Sequence, residues 1–220
     1  MSDEAASSAA GRWVKAWPDA LAFVAGLALA WFNEWQTMDL VWSLWLSSLL
    51  VGYAMIVWDI FGMPVFAVTE AIAAPANGAK LVGGIVFAGR LFLLAFFTVH
   101  FGGFHFVHAA FLNAFFPVIP GHHGFLDWAL FQRILHDYWP FVLVAAVAER
   151  KAFRRGAEAV KYPGFMRPYK NVVRLHVLIF FFAFASFLHI HNFAVYAVVY
   201  AVYFFPWRLV FPDKTNPAAA

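Results

Sequence analysis

The chain of 220 residues contains no cysteine. Disulfides, iron–sulfur clusters, thiolate metal sites and cysteine nucleophiles are excluded together, so any metal must be held by His, Asp, Glu or water. Charge is scarce as well. Asp, Glu, Lys and Arg make up 12% of the residues, against about 25% in ordinary soluble domains. The net charge of +3 is not gathered into a basic arm, which argues against a nucleic-acid partner. The opening residues, MSDEAASSAAGRWVKAW, carry Asp3 and Glu4 where a secretory signal would carry cations, so a cleaved signal is not expected. No segment repeats, which leaves an inverted-repeat transporter without direct support. H-E-x-x-H and the histidine boxes of membrane desaturases are missing too. Ser43, Ser47 and Ser48 have no His–Asp partner nearby in sequence and read as sites of close helix packing, not as nucleophiles.

What remains is apolar. The chain is 64% hydrophobic, with 28 Phe, 10 Trp and a mean hydropathy of +0.72. That composition predicts an all-α, polytopic transmembrane bundle forming one membrane domain over 1–220. Apolar runs place about six spans near 19–32, 40–61, 90–116, 138–154, 171–188 and 193–210, with interfacial segments near 63–80 and 124–136. The fourth span is set to begin near Tyr138, because starting it at Phe125 would sink Arg133, His136 and Asp137 into hydrocarbon.

Charge then orients the bundle. Eight basic residues fall between Glu149 and Arg174, which predicts a cytoplasmic loop. With both termini cytoplasmic, every Lys and Arg except Arg133 lies on the inner side.

The third span carries three imidazoles. On a helix His105 and His108 lie roughly 60° apart and His100 roughly 80° from His108, so the three share one broad face. His105 and His108 fall near the outer boundary, where the topology also brings His122, His123, His136, Asp137, His189 and His191. Imidazole with carboxylate and no thiolate suits Zn, Cu or Fe. The expected metal set is His105, His108, His136, Asp137, His189 and His191, with His105 and His108 as the local pair. His100, near mid-membrane, and His176, near the inner boundary, stand apart as ligands for haem or a chlorin pigment. Against both stands a simpler expectation: interfacial histidines that face water or loop carbonyls, and a His105–His108 pair engaged in interhelical hydrogen bonds.

Two blocks carry a resemblance. F-F-x-V-H-x-G-x-x-x-F-V-H, within Arg90 to Phe111, and R-P-Y-x-x-V-V-x-L-H, from Arg167 to His176, resemble a bacterial family of integral membrane proteins of unknown function. The resemblance implies a multi-span inner-membrane protein and draws attention to His100, His108 and His176. It implies no activity. Ser47 and Ser48 stand where an acidic residue and an asparagine would be expected.

The leading functional expectation is an inner-membrane protein with a histidine-rich metal site at its outer face. The competing one is an accessory subunit of a larger respiratory or photosynthetic membrane complex, its histidines and aromatics making pigment, haem, lipid or helix contacts. Enzymatic activity and homo-oligomerisation are left open, and a small-solute transporter or channel ranks third.

Overall fold

The computed structural model describes residues 2–62, 79–122 and 124–153, with 168–169, 172–173, 177–178, 180–182, 184, 197–201 and 205. It is all-helical. Helix α1 spans Ser2–Phe32, α2 Thr37–Phe61, α3 Ala79–Phe115 and α4 Trp128–Ala148, followed by a 3-10 turn at Arg150–Phe153.

Helix α2 is the hub. It packs against α3 on one side and α4 on another, and α4 also packs against α1. Its Leu40, Val41, Trp42, Trp45, Leu46 and Ile56 are buried all round the helix, the pattern of an element enclosed by neighbours. The larger part of the core adds Leu112, Leu130, Ile134, Tyr138 and Phe141 to the two tryptophans, and Phe182 and Tyr200 reach it from the C-terminal part of the chain. A smaller cluster, toward the C-terminal end of α2, joins Ile56 and Ile60 to Phe97, Phe101 and Val172.

The connection between α1 and α2 is a four-residue turn with a defined geometry. Trp35 N–H bonds to Ala30 O at 2.8 Å and Glu34 N–H to Trp31 O at 3.2 Å, the paired bonds of a Schellman ending. Glu34 occupies the left-handed position at φ 52°, where glycine is usual. Asp39 then closes the first turn of α2 by accepting from Gln36 N–H at 2.8 Å, and its other oxygen accepts from Tyr138 Oη at 2.8 Å, tying α2 to α4.

Several expected boundaries shift. Helix α1 runs back through Pro18 to Ser2, beyond the predicted 19–32, because the Ala-rich lead has the propensity to extend it. Helix α3 starts at Ala79, well before Arg90: arginine is a good helix former and does not end a helix. The predicted break between an interfacial segment at 124–136 and a span from 138 is absent, since one helix runs from Trp128 to Ala148 through Pro140. Arg133, His136 and Asp137 nevertheless avoid the interior. Arg133 Nε bonds to Asp137 at 2.6 Å, His136 bonds to the same carboxylate at 2.9 Å, and the His136 side chain is 85% exposed. Of the interfacial segment at 63–80, residues 63–78 lie outside the described residues. The spans at 171–188 and 193–210 are described only at the positions given above, of which 172–173, 177–178, 180–182, 184 and 197–201 are helical.

Among the described residues two helices, Thr37–Phe61 and Leu81–Phe115, are long and apolar enough to cross a membrane. They differ sharply in burial, most of the apolar stretch of α2 being enclosed and hardly any of that of α3.

Gly52 lets α2 and α3 approach. A Cβ there would stand 2.7 Å from Phe101 Cζ, too close for the ring to keep its place. Gly52→Ala is expected to destabilise the fold by about 1–3 kcal/mol, read by denaturant titration in detergent, and Phe101→Leu should recover part of the loss.

Candidate functional site

Helix α3 buries one narrow stripe. Phe97, Phe101, His105, His108 and Leu112, spaced four, four, three and four apart, are all enclosed, which is the repeat of a helix seam. Outside it the helix exposes Phe92, Phe96, Val99, Val107, Phe111 and Phe115. The histidines predicted to pair do sit together inside the bundle, with ring centroids 6.2 Å apart.

The partners of His105 define its chemistry. Its Nδ1 lies 3.0 Å from Phe101 O in its own helix, and its Nε2 lies 3.2 Å from Ser48 Oγ on α2. A carbonyl can only accept, so Nδ1 carries the proton and Nε2 accepts from the serine hydroxyl. Both nitrogens of a neutral imidazole are thus used. Trp45, one turn before Ser48, donates its indole N–H to His105 O at 2.9 Å, and Trp42 does the same to Phe116 O at 2.8 Å. Trp42 and Trp45 meet edge to face at 5.5 Å. Nearer the C-terminal end of α2, Tyr53 Oη donates to Thr98 Oγ1 at 2.6 Å while Thr98 donates to Leu94 O. The α2–α3 contact is therefore a ladder of side-chain hydrogen bonds set between aromatic rings.

A second polar group holds the outer connection. Buried Asn113 extends Nδ2 toward His122 Nδ1 at 3.1 Å, His122 O at 3.1 Å and Gly124 O at 3.2 Å. With its Nδ1 accepting, His122 donates from Nε2 to Asp127 at 2.9 Å, and the other oxygen of Asp127 caps α4 by accepting from Leu130 N–H at 2.8 Å. That backbone bond, and then the one from His122, hold the Asp127 carboxyl below its ordinary pKa.

The remaining predicted ligands are placed as follows. His136 is exposed and Asp137 is engaged by Arg133 and His136. His100 is exposed on α3, stacked on Phe96 at 5.3 Å and set edge-on to Phe104 at 5.1 Å. His176, His189 and His191 lie outside the described residues, as does His123. Among the described residues no three His, Cys, Asp or Glu side chains converge as a metal site would require.

A family model described as "Family of unknown function (DUF6498)" matches residues 5–206. The chain belongs to this family. No curated protein and no solved structure matches it. Membership of DUF6498 agrees with the resemblance carried by the histidine blocks and brings no activity with it.

Sequence reasoning read Ser48 as a helix-packing residue but missed Trp42, Trp45 and the pairing of this face with His105. Trp42, Trp45 and Ser48 are ordinary residues of an apolar run, and only their i, i+3 and i+6 spacing opposite a histidine-bearing helix could have marked them. The Asp127 cap was legible in principle, being an acidic residue just ahead of a helical run.

Ser48→Ala removes the one hydroxyl facing His105 Nε2 and is expected to cost about 1–2 kcal/mol. In a His105→Leu background the same change should cost almost nothing. A double-mutant cycle of unfolding free energies reads the difference.

Proposed function

We propose that this member of DUF6498 is a multi-pass protein of the bacterial inner membrane, with six spans and both termini cytoplasmic, that serves as a helix-packing subunit of a larger membrane assembly. The observation that carries this reading is the division of α3 into a polar-bearing stripe against α2 and an apolar remainder left uncovered. Val99 is 77% exposed and Phe92 69%, and exposed apolar chains continue along a helix of 35 residues, about 50 Å. In water so long an apolar surface would drive aggregation, whereas in hydrocarbon it costs nothing. Exposed tryptophans support the same setting, with Trp17 and Trp58 toward the inner ends of the apolar runs and Trp31 and Trp128 toward the outer ends. In the seam Trp42, Trp45, Ser48 and His105 direct their side-chain donors to one another and to backbone carbonyls, which suits a packing role.

The absence of cysteine makes the topology directly testable. In intact cells a membrane-impermeant maleimide should label Asn33→Cys, and it should label Ala157→Cys only after permeabilisation. The opposite pattern, or recovery of the chain in the soluble fraction, would overturn the reading.

A divalent-metal site at the outer face is the second reading, favoured by the two buried imidazoles of His105 and His108 one turn apart. Two imidazoles on one tetrahedral ion place their centroids about 5 Å apart, closer than the 6.2 Å found, and the ion would have to displace Ser48 from Nε2. If the reading holds, purified protein carries stoichiometric Zn, Cu or Fe by elemental analysis and loses it in His105→Ala and His108→Ala. Near-zero metal in the unaltered chain removes it.

A further inference from the structure

The exposed side of α3 carries, midway along the helix, an imidazole that packing leaves without a hydrogen bond among the described residues. His100 stands ten residues beyond Arg90, about 15 Å along the axis and so at hydrocarbon depth under the membrane reading, on which this inference rests. Its ring touches Phe96, Phe104 and Tyr169, yet neither nitrogen has a hydrogen-bond partner among the described residues. An imidazole facing lipid in that state is costly, and the cost falls when something at the same depth supplies a hydrogen-bond partner.

We propose that this face of α3 binds α3 of a second copy of the chain, with His100 meeting His100 across a two-fold axis normal to the membrane. Copies inserted by the same rule share one orientation, so such an axis sets every residue opposite itself at equal depth. A neutral imidazole offers one donor and one acceptor, so one ring of the pair can donate to the other in a single N–H···N bond; a lysine or a carboxylate in that place would repel its counterpart. The surroundings suit close approach. Gly89 and Gly103 lie on the same side of the helix, and nothing stands within 4 Å of a Cβ built on either. Phe96 and Val107, exposed on that side, supply apolar contact above and below the histidines.

The test is disulfide cross-linking of single-cysteine variants in native membranes with a lipid-soluble copper oxidant. Val107→Cys should form a covalent dimer, and Ala95→Cys, exposed on a different side of α3, should not. Adding His100→Leu to Val107→Cys should lower the dimer yield several-fold. Adding His100→Gln should keep it near the starting level, because an amide is also self-complementary. Equal yields at positions 95 and 107, or no change with leucine, would overturn the dimer. So would purified protein with an absorbing macrocycle that is lost in His100→Leu. Recovery of the chain in the soluble fraction would sink the membrane reading itself, whereas membrane-bound protein without a cross-link sinks only the dimer.

Discussion

A polar atom enclosed by apolar side chains must be bonded by the protein, because no water is at hand to do it. The contact between α2 and α3 is organised by that requirement. Trp42 and Trp45 each bring one indole N–H that has to be given away, and both are given to backbone carbonyls of or just beyond α3. His105 brings a donor and an acceptor, and each is met, one by Phe101 within its own helix and one by Ser48 across the interface. Gly52 completes the fit by making room for the Phe101 ring. Trp45, Ser48 and Gly52 follow one another at three and four residues, so the face they form is a single helical stripe. Sliding α3 by one residue would misplace all three contacts at once, which makes the polar groups the part of the interface that sets register; apolar packing alone tolerates far more slippage.

Helices α2 and α3 also show why composition alone misjudges burial. Their most apolar stretches are about equally hydrophobic, yet one is enclosed and the other is largely open. In a soluble protein an open helix betrays itself by a polar face. Here the open face is the more uniformly apolar one and the polar residues mark the inside, with Ser48, His105, His108 and Asn113 all buried. The same inversion explains how far the sequence could be read. That His105 and His108 share a face follows from their spacing, and a helical, apolar fold follows from composition. The partner of the histidines did not follow, because a serine and two tryptophans in an apolar run carry no local signal of what they will face. The α4 boundary was misread for another reason. Arg133, His136 and Asp137 are expected to precede a span, but one helix carries all three at its surface, where they pair with one another.

The polar contacts at the two ends of the bundle are of a different kind. At one end Asp19 on α1 receives both Arg150 and Lys151 from the turn after α4, with Lys151 at 2.9 Å. At the other end Asn113, His122 and Asp127 staple the loop between α3 and α4. Asp127 and Lys151 are well exposed to solvent, and an ion pair that shares its field with water and salt contributes little net stability. Their effect is to fix where connections begin: Asp127 starts α4, and Asp19 holds the turn that ends it against α1. The seam between α2 and α3 works in the opposite regime, with few bonds, all neutral, in a medium of low dielectric where an unmet partner is expensive. Neutral groups suit that position because they can be satisfied completely. A charged residue at Ser48 or His105 would carry a desolvation cost that one bond across the interface could not offset.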